Sequence, residues 1–178
     1  MVPQKLAQAI NEQIKNEMES AYLYLSAAAY FHSVSLDGMA HWMRCQAHEE
    51  TIHAMKFMDH LIDRNAPVAL LDMVQHKTQW AKPLEVWRDA YAHEQFITSK
   101  INELTTIARE VKDYQSEPIL AWFTAEQIEE EATSAKIVGE MEMVEGSKSA
   151  LLMLDREMGV RVFPPGSPFD PSAYAQGT

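Results

Sequence analysis

The chain has one cysteine, Cys45, among 178 residues. That excludes a disulfide framework and any zinc or iron–sulfur site built from several thiolates. Basic residues are also few: 15 Lys and Arg stand against 26 Asp and Glu, for a net charge of −11. Nucleic acids and anionic membranes need a basic face, so neither is expected as a partner. No apolar run approaches the roughly 18 residues needed to cross a bilayer. The opening MVPQKLAQAINEQIKNEM lacks the apolar core of a signal peptide. These absences point to a cytoplasmic protein with one domain over residues 1–160 and an extended C-terminal tail over 161–178.

Glycine is scarce as well, at 6 residues, and no stretch alternates like a strand. What remains is helical. Pro3 can open a helix, and no Gly or Pro follows until Gly38. The punctuation predicts helices over about 3–32, 36–64, 83–114, 116–145 and 147–158. Ser116 is the expected N-cap of the fourth helix, with Pro118 in its first turn. Each long helix spans about 43 Å at 1.5 Å per residue. The segment 65–82 lacks a period and can stretch to nearly 60 Å at about 3.3 Å per residue. It can therefore return along the whole bundle. An all-α four-helix bundle with one long crossover and a short fifth helix is predicted.

Each long helix carries an inward seam at alternating steps of three and four. The first reads Ile10, Ile14, Glu17, Ala21, Tyr24, Ala28, Phe31, and the second Met39, Met43, Gln46, Glu50, His53, Phe57. The third reads Leu84, Trp87, Tyr91, Glu94, Thr98, Ile101. The fourth reads Leu120, Phe123, Gln127, Glu130, Ser134, Ile137, Met141, Val144. Every seam is interrupted by a Glu near its midpoint, so the carboxylates meet at one height. A lone mid-helix Glu usually faces solvent, but four interruptions at one level are hard to attribute to chance. Buried together, they must hold protons, pair with cations or bind metal. No Lys or Arg shares the seams. Carboxylates and an imidazole without thiolate suit iron or manganese, and two metals can share a bridging carboxylate. In Glu50-x-x-His53 both side chains lie on one helix face and can serve one centre.

The stretches NEQIKNEMESAYLY (11–24), HEETIH (48–53), AHEQFITSKINEL (92–104) and WFTAEQIEEE (122–131), with their spacing, resemble bacterial non-haem ferritins. The resemblance covers about residues 3–160 and implies a ferritin-like bundle. It implies a first ferroxidase iron site at Glu17, Glu50 and His53, with Glu50 bridging. It places Glu94 at a second site completed by Glu130, and Gln127 nearby as a residue that hydrogen-bonds oxygen species or water. Glu49, Glu126 and Glu129 match a third iron site that shares Glu130. Tyr24 matches the tyrosine that sits beside the centre and can supply an electron. Where di-iron oxidases and bacterioferritins carry a second Glu-x-x-His, this chain has Gln127-x-x-Glu130. Thr51 and Ile52 fill the place of the haem-binding Met, so no haem is expected. Rubrerythrin-type proteins need further cysteines.

The fifth helix, with Ala150-Leu151-Leu152-Met153-Leu154, is apolar around most of its circumference and needs burial against symmetry mates. In ferritins such a helix lines the fourfold axis of a 24-subunit shell. The resemblance thus implies iron storage with ferroxidase activity. Fe(II) and dioxygen are the substrates, a homo-oligomer of 24 subunits is the shell, and ferric mineral is the product. A di-iron oxidase or peroxidase without storage stays open, as does a non-catalytic helical scaffold.

Overall fold

The computed structural model describes residues 1–74 and 77–173; His76 and the end of the tail, 174–178, lie outside them. The helices are α1 (Gln4–Ser33), α2 (Asp37–Asp63), α3 (Pro83–Glu110), α4 (Glu117–Met143) and α5 (Lys148–Met158). Short 3-10 turns lie at Tyr114–Ser116 and Pro171–Ala173, and no strand occurs among the described residues. α1 pairs with α2 and α3 with α4, while α1 also packs on α3 and α5 on α2. The chain between α2 and α3 is the long crossover of a four-helix bundle. No helix among the described residues is long and apolar enough to cross a membrane.

The scarcity of glycine left the helix ends hard to read. Three helices end on non-glycine residues with positive φ: Ser35 (60°), Asn65 (53°) and Lys112 (57°). After each, an amide reaches back five residues: Leu36 to Phe31 (3.0 Å), Ala66 to Leu61 (2.9 Å) and Asp113 to Ala108 (2.8 Å). This is the left-handed cap that glycine usually supplies. It stops α3 at Glu110, short of the expected Tyr114.

Ser116 does not act as the expected cap. Its backbone is already helical (φ −86°, ψ −12°) and its side chain makes no cap bond. The hydroxyl instead donates to Asp113 Oδ2 at 2.6 Å and accepts from Arg64 Nη1 at 2.9 Å. Arg64 also grips Asp113 with both guanidinium arms at 2.6 Å. His60 Nε2 lies 2.8 Å from the same hydroxyl. This buried polar knot fastens the end of α2 to the α3–α4 link.

The core falls into two apolar clusters. One gathers Phe31, Met39, Met43, Trp87, Ile137 and Met141, and the other Ile10, Ile14, Phe57, Ile101, Leu120 and Phe123. The predicted seams bury almost throughout; Tyr91, Thr98 and Val144 are half-buried. The Glu layer lies along the seams between the two clusters.

α5 starts at a true cap, the Ser147 hydroxyl accepting from the Ala150 amide at 3.3 Å. Its other end braces α2. Asp155 Oδ1 accepts from the Met39 amide at 2.8 Å, satisfying a free N–H in the first turn of α2. A Cβ added at Gly38 would lie 1.7 Å from the Asp155 carbonyl oxygen, so only glycine permits the approach. Leu152 and Met153 stay exposed on the protomer. The tail is not simply extended. Ser167 is buried, Phe169 packs on the first cluster, and Gly166 turns the chain at φ 77°.

Gly38→Ala should therefore lower stability by about 1–3 kcal/mol, the usual cost of overpacking. Denaturant unfolding measures it, and an unchanged midpoint would show that α5 does not dock this way.

Candidate metal centre

The site is built where the seams carry no hydrocarbon. Glu17 on α1 and Glu50 and His53 on α2 are all buried, and one ligand atom from each lies within 4.8 Å of the others. His53 Nδ1 is 3.4 Å from Glu50 Oε2. Glu94 on α3 and Gln127 and Glu130 on α4 are buried too. Among the described residues, the three-residue group is the one set of carboxylate and imidazole atoms close enough to hold an ion.

Glu94 is otherwise engaged. Tyr24 donates its hydroxyl to Oε1, and Gln127 Nε2 lies 3.2 Å from Oε2, 3.3 Å from the Glu94 carbonyl and 3.3 Å from Thr98 Oγ1. Tyr24 and Gln127 thus both hold Glu94. Glu17 Oε2 is buried with no hydrogen-bond partner, whereas Oε1 accepts from Gln13 Nε2 at 2.7 Å. Once Glu17 is ionised, Oε2 is an acceptor left bare inside the core, at a cost of about 1–3 kcal/mol or more. A cation satisfies it, so the donor set fits a metal ion.

The electrostatics carry the same strain. Burial first, then the Glu50 charge, pushes Glu17 up to about 8. Burial and the Glu50 charge also lift Glu130 to about 7. Glu94 is driven well above the carboxylate range by burial, then by Glu50 and Glu130. Burial alone would raise Glu50 and lower His53. Their mutual hydrogen bond and charge outweigh it, so Glu50 falls and His53 rises to about 10. Burial and the neighbouring carboxylates raise Tyr24 well above the ordinary phenol.

The proposed third-site residues lie on the outer side. Glu126 is partly exposed with Oε1 3.8 Å from His53 Nε2, and Glu129 is exposed. Glu49 is half-buried and ion-paired to Arg161, at 2.5 Å from Nη2. Trp122 sets its edge against His53 with ring centres 5.6 Å apart.

Sequence reasoning missed the groups that orient the ligands. Gln46 Nε2 donates to Glu50 Oε1 at 3.0 Å, as Gln13 does to Glu17. Each Gln stands four residues before its Glu, one helical turn, and that repeated spacing was a usable signal. Histidines outside the centre are partnered as well: His93 Nε2 lies 2.7 Å from Ser20 Oγ, and His32 Nδ1 2.8 Å from Asp37 Oδ1.

The chain is similar to known proteins over most of its length. The ferritin-like domain family matches residues 7–144. A bacterial non-heme ferritin from Bacteroides fragilis is 38% identical over 163 residues, covering 90% of this chain and 100% of that protein. One from Staphylococcus aureus is 32% identical over 163 residues, covering 92% and 98%. An open-pore ferritin from the hyperthermophilic archaeon Archaeoglobus fulgidus superposes with a TM-score of 0.90 at 40% identity, covering 91% of this chain and 100% of that one. The bundle, the split core and these matches together establish that the chain belongs to the ferritin-like domain family.

Proposed function

We propose that this chain is the subunit of an iron-storage ferritin that oxidises Fe(II) with dioxygen and keeps Fe(III) as a ferric oxide-hydroxide mineral. The observation that carries the reading is the buried Glu17–Glu50–His53 group with its bare Glu17 oxygen. Iron is the substrate here. Glu17, Glu50 and His53 form the first binding position, with Glu50 shared. Glu94 and Glu130 complete the second once Glu94 turns from Gln127. The carboxylates neutralise two divalent charges in a core that otherwise excludes them. Two Fe(II) give up one electron each, and dioxygen takes the pair with two protons and leaves as hydrogen peroxide. Tyr24, hydrogen-bonded to Glu94, is placed to pass an electron to the site. Glu49, Glu126 and Glu129 mark the way out of the bundle, and their carboxylates take Fe(III) toward the mineral.

Storage needs a closed shell. The exposed Leu152 and Met153 on α5 supply an apolar contact between copies, and 24 subunits is the assembly we assign. A dimer without an electron-dense core would favour the alternative, a di-iron oxidase that stores nothing. Glu50→Ala and Glu94→Ala each test the centre. Loss of an outer-shell partner costs roughly 10–100-fold, and loss of a ligand should slow initial aerobic Fe(II) oxidation by at least as much, with assembly intact. Unchanged initial rates would refute the site. Glu49→Ala combined with Glu129→Ala should leave the initial rate and alter later iron loading; identical loading curves would remove the third site.

The pH dependence has a definite sign. With Glu17 at about 8, Glu130 at about 7 and His53 at about 10, ligation near neutral pH must displace protons. Anaerobic Fe(II) affinity should fall as pH drops from about 8 to about 6, with roughly one or more protons released per ion. Calorimetry in buffers of different ionisation enthalpy counts them. Binding without proton release would contradict the electrostatics described above.

A further inference from the structure

The seams carry no Lys or Arg, yet a cation reaches the centre from beyond the last long helix. After α5 the chain folds back along α2. His41 Nε2 donates to the Arg161 carbonyl at 2.5 Å, and Phe163 sets its edge on the same imidazole with ring centres 4.6 Å apart. The Arg161 guanidinium lies over the Trp42 ring, 4.2 Å from its centre. One arm, Nη1, donates to Gln46 Oε1 at 2.9 Å; the other, Nη2, pairs with Glu49 Oε2 at 2.5 Å. Gln46 is fully buried and donates its Nε2 to Glu50 at 3.0 Å.

From this relay we propose that Arg161 is a positioning residue for the metal centre, acting through Gln46 on Glu50; the proposal rests on the ferroxidase reading above. The amide of Gln46 has two faces, and its surroundings select one. A guanidinium can only donate, and an ionised carboxylate can only accept. Gln46 therefore turns its oxygen to Arg161 and its NH2 to Glu50. Without Arg161 the amide is anchored only on its NH2 side, by Glu50 and Glu130, and its oxygen side can swing, so the direction of the bond to Glu50 is no longer fixed. The planar fork lets one side chain hold Gln46 and Glu49 together while stacked on Trp42. A lysine ammonium cannot reproduce that geometry. Arg161 touches neither iron nor oxygen in this scheme. It sets the direction of the shared ligand.

The probe is Co(II), titrated anaerobically into the full-length assembled protein. Its visible bands report coordination geometry, and it does not turn over. Arg161→Ala should weaken Co(II) binding about 10-fold, the lower range for lost outer-shell partners, and shift the visible bands. Arg161→Lys keeps the charge and should remain weakened. Gln46→Ala should match Arg161→Ala, and the double variant should bind no more weakly than Gln46→Ala alone. A merely structural role for the tail would make the two losses additive. Additive losses, or wild-type affinity and bands in Arg161→Ala, would overturn the proposal while leaving the ferroxidase reading intact. If Arg161→Ala does not assemble, Arg161→Lys carries the same comparison. A wild-type protein that binds no Co(II) would overturn both.

Discussion

Four carboxylates occupy the middle of a helix-bundle core, and the rest of the structure follows from making that tolerable. Glu17, Glu50, Glu94 and Glu130 are each at most 7% exposed. Without counter-ions their charges repel one another and lose hydration, at several kcal/mol per group. The chain meets this with protonated carboxyl groups, one imidazolium, and hydrogen-bond donors one turn away or across the bundle. Gln13, Gln46, Gln127 and Tyr24 each give a hydrogen bond to one of the carboxylates. One acceptor of Glu17 still goes unmet. The layer is balanced for the arrival of cations rather than for stability without them.

The apolar clusters on either side supply the rigidity that this layer lacks. Stacked Phe57 and Phe123, with ring centres 4.0 Å apart, pack beneath His53. Trp87 lies against Phe31 and Trp42 in the opposite cluster. Helix ends are fastened separately, by the Arg64–Asp113–Ser116 knot at one position and by Asp155 on the first turn of α2 at another. The carboxylates and His53 are therefore presented from helix middles, where the backbone is most strongly fixed, so binding a cation calls for side-chain turns, as at Glu94, rather than backbone movement.

Most of the bundle was legible because helix period and seam position are local properties. The interruptions at Glu17, Glu50, Glu94 and Glu130 stood out against a regular apolar stripe. What escaped was non-local or conformational. Ser35 and Lys112 adopt a left-handed cap that their residue types do not announce. Ser116 looked like a cap, but Arg64, 52 residues earlier, takes its hydroxyl. Gly38 reads as turn punctuation and instead makes room for the Asp155 backbone within a helix. Arg161 lies in a proline-rich tail with no period, so its approach to Gln46 and Glu49 could not be seen before folding. The partnership of Gln46 with Glu50 was readable from the four-residue spacing and was passed over, because the seam was read for its carboxylates alone.

The buried carboxylates destabilise the metal-free protein, and metal reverses the deficit. Glu17 is the sharpest case, since its folded value of about 8 lies above its ordinary 4.5. A raised carboxylate binds protons in the folded state, so its penalty grows as pH rises from about 4.5 through about 8. The direct measurement is the thermal midpoint of metal-free Glu17→Gln against wild type at pH 9 and at pH 5, with and without Co(II). The variant should melt higher than wild type at pH 9, converge with it at pH 5, and lose most of the stabilisation that Co(II) gives wild type. A metal-free variant that melts below wild type at pH 9 would contradict the claim.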